Sequence, residues 1–344
     1  MKLKTADLPN LLTEMIASYL VFAPQKEGSV SNILPLKQSG DIDLVSIRPN
    51  NPAKDVVFPQ AEEIYSFNTG QKSQIKEKEL TGETIVFGMR ACDARGIEIL
   101  DNFFLKCDRK DGGSQTYEDN YWKKRRELTT IVTIACEKPL NTCACSSLGI
   151  HPASEKGSDI LLIPDGSNLQ VLVVTDKGKK IVDRFKSYFE EGGDPKEAQD
   201  RVKKSCEARM SFRLDTTNAG KLMKLWDSDV WKKVSRGCIS CGVCTFFCPT
   251  CHCFEMRDQI TEKDCGKRLK CWDSCHFTPY SLEASGHNPR PDVAVRYRNK
   301  LLDKYEYHMT LYGEIACTGC GRCSDFCPAG ISLAETLTTL GGAL

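Results

Sequence analysis

The sequence has 344 residues, of which 40% are hydrophobic and 27% charged, with 47 basic against 46 acidic side chains. These values are typical of a globular protein with room for two domains. The net charge of +1 excludes a global field that would attract nucleic acid or an anionic membrane. No stretch approaches the ~18 consecutive apolar residues of a membrane span, and the N-terminus lacks the features of a signal peptide. We therefore expect a cytoplasmic protein without a membrane span.

The first part of the chain predicts an α/β domain. Residues 8–22 carry apolar side chains at helical spacing, and residues 28–60 read as short strands and turns. Residues 84–92 form a buried apolar run that ends on Cys92 and leads into a helical pattern. Residues 129–136 repeat this arrangement, because a β-rich run ends on Cys136 and is soon followed by Cys143 and Cys145. In open α/β sheets, ligands gather at the carboxyl ends of the strands.

Two strands that end side by side would bring Cys92, Cys136, Cys143 and Cys145 together. Four thiols are the number that a cubane iron-sulfur cluster needs, so we predict a [4Fe-4S] cluster in the N-terminal domain. An alternative stays open at this point. Cys92 and Cys136 would then be small buried apolar residues, and Cys143 and Cys145 a reactive pair.

The segments that follow predict a hairpin over residues 159–175, helices over 180–191 and 195–212, and an amphipathic segment over 216–236. We place the domain boundary there. The prediction is an α/β domain in residues 1–215 and an α-helical ferredoxin-like domain, of the dicluster type, in residues 216–344.

The strongest motif occurs twice in the second domain. The spacing C-x2-C-x2-C-x3-C-P is the bacterial ferredoxin run, in which the fourth cysteine usually binds the other cluster. We therefore predict two [4Fe-4S] clusters with exchanged fourth ligands. One cluster takes Cys238, Cys241, Cys244 and Cys327, and the other takes Cys317, Cys320, Cys323 and Cys248.

Zinc is the alternative metal, since C-x2-C is half of a zinc ribbon, but zinc ribbons use pairs of cysteines and not triplets.

Further cysteines exceed the eight of the two runs. Cys251, Cys253 and Cys275 are candidate metal ligands, either in place of an assigned ligand or for a further group. Cys265 and Cys271 are expected to be free thiols, and His252 is expected to face solvent or support a ligand.

The chain resembles a family of iron-sulfur subunits of anaerobic redox complexes. This family includes the corresponding iron-sulfur subunit of anaerobic sulfite reductase and the beta subunit of cytoplasmic nickel-iron sulfhydrogenases. The resemblance covers most of the chain and lies in these pieces: Phe22-Ala-Pro, Arg90-Ala-Cys-Asp93, Cys136-Glu, Cys143-Ala-Cys145, Cys238 to Cys253, Trp272-Asp-Ser-Cys275, Gly286-His287, Arg296-Tyr-Arg298 and Cys317 to Pro328. It implies that Cys92, Cys136, Cys143 and Cys145 bind a cluster and that Cys251, Cys253 and Cys275 have a purpose.

The function that the resemblance implies is electron transfer that links a flavin/NAD(P)-binding subunit to a catalytic redox subunit of a heteromeric complex. The residues themselves show no catalytic acid, base or nucleophile constellation, and neither a G-x-G-x-x-G after a strand nor a P-loop. We therefore expect a non-catalytic subunit of an oxidoreductase. The competing hypothesis is an enzyme in its own right that reduces a small acceptor beside Cys92 and Asp93.

Overall fold

The computed structural model describes residues 1–44, 48–70, 72–105, 109–113 and 117–344, and its N-terminal part is built around a large mixed β-sheet. The strands of the chain are β1 (Lys2–Lys4), β2 (Leu20–Glu27), β3 (Val30–Pro35), β4 (Ala61–Asn68), β5 (Gln74–Glu77), β6 (Thr84–Met89), β7 (Thr129–Ile134), β8 (Ile160–Asp165), β9 (Asn168–Val173), β10 (Phe189–Glu190), β11 (Phe254–Glu262) and β12 (Cys265–Trp272). The large sheet has the order β10-β1-β9-β8-β7-β6-β2-β3. Its central strands β2, β6, β7 and β8 run parallel, and antiparallel pairs flank them.

Helices cover both faces of this sheet. The helices of the chain are α1 (Leu8–Ser18), α2 (Lys54–Val57), α3 (Ala91–Phe104), α4 (Asn120–Leu128), α5 (Asp176–Arg184), α6 (Pro195–Glu207), α7 (Val230–Val234), α8 (Val243–Phe246), α9 (Val293–Leu302), α10 (His308–Tyr312), α11 (Arg322–Asp325) and α12 (Leu333–Gly341). Alternate residues of the central strands face opposite cores, as the two-residue period of a strand requires. Ile85 and Phe87 pack with α1 and α5, whereas Val86 packs with α2, α3 and α4.

The parallel pairing of β6 and β7 is the feature that positions the N-terminal cysteines. Their registers match from Thr84 opposite Thr129 up to Phe87 opposite Val132, where a bulge at Gly88 shifts the pairing. Gly88 has a φ of 76°, and such a conformation suits glycine because it has no Cβ. The two strands end at the same edge of the sheet, as the sequence predicts. Cys92 lies in the first turn of α3, which begins just after β6.

The helix that the sequence predicts over residues 8–22 is shorter in the structure. It ends at Ser18, and residues 20–22 belong to β2, where they pair in parallel with β6. The sheet decides this, because Val21 and Ala23 are fully buried in it while Leu20 is 54% exposed. Tertiary pairing overrides a local helical period here. The predicted hairpin over 159–175 is present as β8 and β9, which pair antiparallel.

A smaller antiparallel sheet joins distant parts of the chain in the order β11-β12-β4-β5. The hairpin of β11 and β12 lies between the two ferredoxin runs, and β12 pairs with β4 from Cys265 opposite Asn68 to Cys271 opposite Ala61. No local pattern in the sequence predicts this sheet. Its strands come from both sides of the boundary predicted at residue 215, so the two parts of the chain share a sheet.

The helices after residue 216 enclose a core of their own. This core contains Trp231 of α7, Leu301 and Leu302 of α9, and Leu337 and Leu340 of α12. A π-helical turn over Asp303–Tyr307 joins α9 to α10, so residues 293–312 form one nearly continuous helix. Within the described ranges, no helix is long and apolar enough to cross a membrane.

Candidate metal centres

The two ferredoxin runs fold into loops of the same shape. In each, a glycine with positive φ precedes a short helix: Gly242 at 75° before α8, and Gly321 at 79° before α11. The equivalent positions Ser240 and Gly319 also have positive φ, at 56° and 62°. The repeated backbone geometry follows from the repeated spacing, because each loop must turn tightly between cysteines two residues apart.

Cysteines of the two loops line a shared interior. A cavity of about 70 Å³, here cavity I, is lined by cysteines from both runs: Cys238, Cys241, Cys244, Cys248, Cys317, Cys323 and Cys327. A neighbouring cavity of about 30 Å³, cavity II, is lined by Cys248, Cys317, Cys320 and Cys323. The Phe247 and Phe326 rings, which precede the fourth cysteines, pack with their centroids 4.8 Å apart. Cys248 therefore lines both cavities together with cysteines of the second run, and Cys327 lines cavity I together with the first three cysteines of the first run.

Buried polar atoms in these cavities fit an anionic sulfur cluster. Among the described residues, the Tyr305 hydroxyl, both ring nitrogens of His276 and the Thr318 hydroxyl are buried without a hydrogen-bond partner of ordinary geometry. Each of the three residues lines cavity I or II, with Tyr305 next to Cys317 and His276 next to Cys238. Buried donors without acceptors are costly, and the thiolates and sulfides of an iron-sulfur cluster are acceptors.

Backbone amides also point at the cysteine sulfurs. The amides of Gly319 and Ile331 donate to the Sγ atoms of Cys317 and Cys327 over 3.5 and 3.3 Å. Hydrogen bonds to the sulfurs are among the features that set the potential of an iron-sulfur cluster. The donor set and the thiols together therefore fit [4Fe-4S] clusters.

Two buried lysines of the long helix bring positive charge to the cavities. Lys300 and Lys304 are 8% and 3% exposed, and both line cavity I. The sulfurs of Cys244 and Cys323, one from each run, raise the pKa of Lys300 against the effect of its burial. Lys304 binds Asp303 at 2.9 Å, and its ammonium donates to the carbonyl of Thr250 at 2.9 Å. Lys300 thus lies between the two runs.

A third group of cysteines lines cavity III, of about 30 Å³, beside the carboxyl ends of β6 and β7. Its cysteines are Cys92, Cys136, Cys143, Cys145, Cys206 and Cys320. The four that the sequence analysis groups together do meet here. Burial raises the pKa of the Cys143 thiol to about 11 and that of Cys206 to about 12, and the pKa values of Cys92, Cys136 and Cys145 also rise. Metal binding would have to displace these protons, since thiolates are the ligands.

Cys206 is the residue of this site that the sequence analysis misses. It lies in the last turn of α6, more than sixty residues after Cys145, and it is fully buried. Its signal in the sequence is weak, because a cysteine on the apolar face of a helix is usually a packing residue. The spacing of Ala198, Val202 and Cys206 on one helix face places it in the interior.

Cavity III adjoins the second ferredoxin loop through direct backbone contact. The amide of Ala144 donates to the carbonyl of Gly319 at 2.8 Å, and the Thr142 hydroxyl donates to Asp325 at 2.7 Å. A Cβ on Gly319 would lie 2.5 Å from the Ala144 carbonyl oxygen. The two loops are therefore as close as backbones can pack, and Cys320 lines both cavity II and cavity III.

A buried ion pair fixes the same junction. Arg322 of α11 and Asp93 of α3 are both fully buried, and the guanidinium donates to both carboxylate oxygens at 2.5 and 2.8 Å. Arg322 also donates to the carbonyl of Pro49. Both carboxylate oxygens of Asp93 are thereby held in a buried ion pair.

In the part of the chain that the structure describes, the remaining cysteines do not line cavities I, II or III. The Cys251 thiol contacts Cys248, and the Cys253 thiol contacts Cys275. Cys251 thus lies beside a candidate ligand of the ferredoxin clusters, whereas Cys253 and Cys275 lie beside each other. Cys265 and Cys271 lie on β12, with the side-chain amide of Asn68 donating to Cys265 Sγ at 3.4 Å.

His252 is expected from the sequence either to support a ligand or to face solvent, and its ring is partly buried against Phe103. Its ring centroid lies 3.7 Å from that of Phe103, and burial lowers its pKa to about 4. Across the described ranges, no three His, Cys, Asp or Glu side chains converge as they would around a single metal ion. The thiols line the three cavities instead.

The class of protein follows from a match over the ferredoxin runs. The family model of a 4Fe-4S dicluster domain matches residues 237–331, which contain both runs. This match supports iron-sulfur clusters, and not zinc, as the metal groups of the chain. Comparison with solved structures gave no match.

A relative matches almost the whole chain. The chain is 30% identical over 342 residues to sulfhydrogenase 2 subunit beta of Pyrococcus furiosus, in a match that covers 98% of this chain and 96% of that protein. The chain belongs to the family of iron-sulfur subunits that includes this beta subunit, as the sequence resemblance implies. It is an iron-sulfur, electron-transferring subunit of the oxidoreductase class, with [4Fe-4S] clusters as its metal groups.

Proposed function

We propose that this chain relays single electrons through three [4Fe-4S] clusters, two in its helical ferredoxin-like part and one in its α/β part. In this proposal it serves a cytoplasmic redox complex, in which it links a flavin/NAD(P)-binding subunit to a catalytic redox subunit. The relative's name, a beta subunit of a sulfhydrogenase, supports a heteromeric assembly. The ferredoxin clusters are assigned to the two sets of four cysteines given above. The third is assigned to cavity III.

One observation carries this proposal: the three cavities form a continuous series. Cys320 lines both cavity III and cavity II, and Cys248, Cys317 and Cys323 line both cavity II and cavity I. At the far end of the series, Cys241 is exposed at the surface, beside Ile239, which is 67% exposed. Clusters held in these cavities would be direct neighbours, and the last would lie near the surface, where a redox partner can dock.

The chemistry that bound clusters supply is one-electron transfer, with potentials set by charge, burial and hydrogen bonds to sulfur. The chain itself provides the thiols, the buried donors Tyr305 and His276, and the ammonium of Lys300. These groups exclude water and hold fixed dipoles toward the cavities. Such an arrangement suits electron transfer, because the protein groups around a cluster should move little when its charge changes.

The test is anaerobic purification with counts of iron, acid-labile sulfide and zinc per chain. Three clusters give about twelve iron and twelve sulfide atoms, two clusters give about eight of each, and zinc without iron would refute the iron-sulfur function. Titration with a reductant, followed by electron paramagnetic resonance, should show one-electron reduction of each cluster.

The relay role has its own test. A tag on the chain in its native host should co-purify a flavin-containing subunit together with a second redox subunit. The purified chain alone should reduce no small acceptor catalytically from NAD(P)H. Turnover of such an acceptor by the isolated chain would contradict the relay and favour an enzyme in its own right.

A further inference from the structure

Two buried side chains that line cavity I carry hydrogen-bond donors for which the described part of the chain supplies no acceptor of ordinary geometry. They are the hydroxyl of Tyr305 and the ring nitrogens of His276. The two residues are 2% and 1% exposed. A neutral imidazole carries one N–H, so each side chain has a proton without an acceptor. Because a buried donor without an acceptor destabilises the fold, both side chains indicate an acceptor inside the cavity.

A backbone hydrogen bond places Tyr305 at the start of the second ferredoxin run. Tyr305 lies in the π-helical turn over Asp303–Tyr307. The amide of Ala316 donates to the carbonyl of Lys304 at 2.8 Å, which brings the next residues of the two segments, Tyr305 and Cys317, to the same junction. Tyr305 and Cys317 also line cavity I together. The phenol is therefore a donor on the side of the second run.

Side-chain hydrogen bonds place His276 beside the first ferredoxin run. The His276 amide donates to the Ser274 hydroxyl at 3.1 Å, and that hydroxyl bonds the hydroxyl of Thr245 in α8 at 2.8 Å. From another side, Arg296 donates to the His276 carbonyl at 2.9 Å and to Ser240 Oγ at 3.2 Å. Thr245 and Ser240 both belong to the first run. His276 is therefore tied to this loop at two points.

A third ring of cavity I, that of Tyr297, differs because its proton is already used. The Tyr297 hydroxyl lies 3.0 Å from the hydroxyl of Thr336, and Thr336 donates its own proton to the carbonyl of Ser332 at 2.9 Å. Tyr297 must therefore donate to Thr336, since a hydroxyl has one proton to give. Its ring packs with its centroid 5.9 Å from that of His276. Tyr297 thus lines the same cavity without a donor to offer it.

We infer that the Tyr305 hydroxyl and a ring N–H of His276 donate hydrogen bonds to the two ferredoxin clusters, and that each donor raises the potential of one cluster. Tyr305 serves the cluster assigned to Cys317, and His276 serves the cluster assigned to Cys238. The inference rests on the ferredoxin clusters of the proposed function. A donor to sulfur stabilises the more negative, reduced state, so its loss makes reduction harder. Since the two loops have the same shape, unlike donors allow neighbouring clusters to have different potentials.

The experiment compares Tyr305→Phe and His276→Phe with the unmodified chain, all purified anaerobically and titrated with a reductant under electron paramagnetic resonance. Each substitution removes a donor and keeps an aromatic ring. We expect each to lower the potential of one cluster by about 59 mV, which is a tenfold loss in the equilibrium constant for reduction. The two variants should affect different clusters. Electron-nuclear double resonance should show that each variant also loses one exchangeable proton coupling at its cluster.

Three further variants separate the donor from a general effect of altering the cavity. Tyr297→Phe removes a hydroxyl from the same cavity, but one that donates to Thr336, so the potentials should stay unchanged. His308→Phe removes a buried imidazole that lines none of the three cavities, and it should also leave them unchanged. His276→Gln keeps an N–H donor and should retain most of the potential that H276F loses.

The outcomes separate this inference from the proposed function. Absence of iron-sulfur clusters from the unmodified chain would refute the proposed function, and this inference with it. Full iron content in Y305F with unchanged potentials would overturn the inference alone. Equal shifts in Y305F and Y297F would also overturn it, as would a shift of the same cluster by Y305F and H276F. If H276F loses iron, Y305F and Y297F still decide, because their comparison involves only a hydroxyl.

Discussion

Replacement of Arg322 by Met tests whether the buried ion pair holds the α/β part to the second ferredoxin loop. The side chain of Met has a similar length but neither charge nor donors. Arg322→Met leaves the carboxylate of Asp93 fully buried without the guanidinium that pairs with it, and it also removes the hydrogen bonds to the Pro49 carbonyl. Breaking a buried pair by removing one partner costs about 3–5 kcal/mol, because the remaining charge stays desolvated.

This loss can be expressed as a change in melting temperature. The entropy of unfolding is about 2.1 cal/mol/K per residue, so 344 residues give about 0.7 kcal/mol/K. A loss of about 3–5 kcal/mol then lowers Tm by about 4–7 °C. Differential scanning calorimetry of the anaerobic, cluster-loaded protein measures this shift. All variants need the same heating rate, because cluster loss makes unfolding irreversible.

Two further variants separate a buried pair from a general effect of losing an arginine. Arg201 forms a surface pair with Asp165, with side-chain exposures of 53% and 36%, so Arg201→Met should lower Tm by only about 1 °C. The double variant D93N/R322M removes both charges and should recover part of the loss. A Tm for R322M within about 1 °C of that for R201M would refute the reasoning, as would a double variant less stable than R322M.

The buried lysines, the close loop contact and a buried carboxyl group each give a further prediction. Lys300→Met removes a buried positive charge and should lower the reduction potentials of both ferredoxin clusters. A tenfold decrease in the equilibrium constant for reduction corresponds to a potential lower by about 59 mV. Lys304→Met should lower the potential of the cluster assigned to Cys248 more than that of the other, because Cys248 is the ferredoxin-run cysteine that acts most on Lys304, and redox titrations with equal shifts at both clusters in K304M would contradict this assignment. Gly319→Ala should lower Tm and iron content because its Cβ meets the Ala144 backbone, whereas Gly330→Ala has the same positive φ but open space and reports backbone strain alone. Equal effects of the two would exclude the loop contact as the cause. Burial raises the pKa of Asp55 to about 6 from 3.8, so its ionisation destabilises the fold by up to about 3 kcal/mol as pH rises from about 4 past about 6. Asp55→Asn should therefore raise Tm at about pH 7.5 more than at about pH 5, and an equal gain at both pH values would contradict that shift.

The ferredoxin loops show how much structure can be predicted from the spacing of cysteines alone. Gaps of two residues between cysteines leave a loop few conformations, so the sequence predicts both the turns and the exchange of Cys248 and Cys327. The structure brings those cysteines to shared cavities. The buried strands that end near Cys92 and Cys136 are equally readable, because continuous β-rich apolar runs are typical of central parallel strands.

The features of the fold that the sequence does not predict depend on contacts between distant segments. The pairing of β12 with β4 joins residues far apart in the chain, such as Cys265 and Asn68, and nothing local indicates it. Residues 20–22 have a helical pattern by themselves but complete the sheet beside β6. Local preferences decide little when strand pairing and burial act on the same residues.

The sequence by itself therefore determined the class of protein, because ligand spacing within a short loop is a local property that survives in any fold. It also determined that four N-terminal thiols would come near one another. Only the tertiary structure decided that Cys206 and Cys320 line the same cavity as these four, and that Lys300 lies between the two runs. These positions depend on how helices and loops pack in three dimensions, and the free energy of that packing is spread over many contacts that no single stretch of sequence contains.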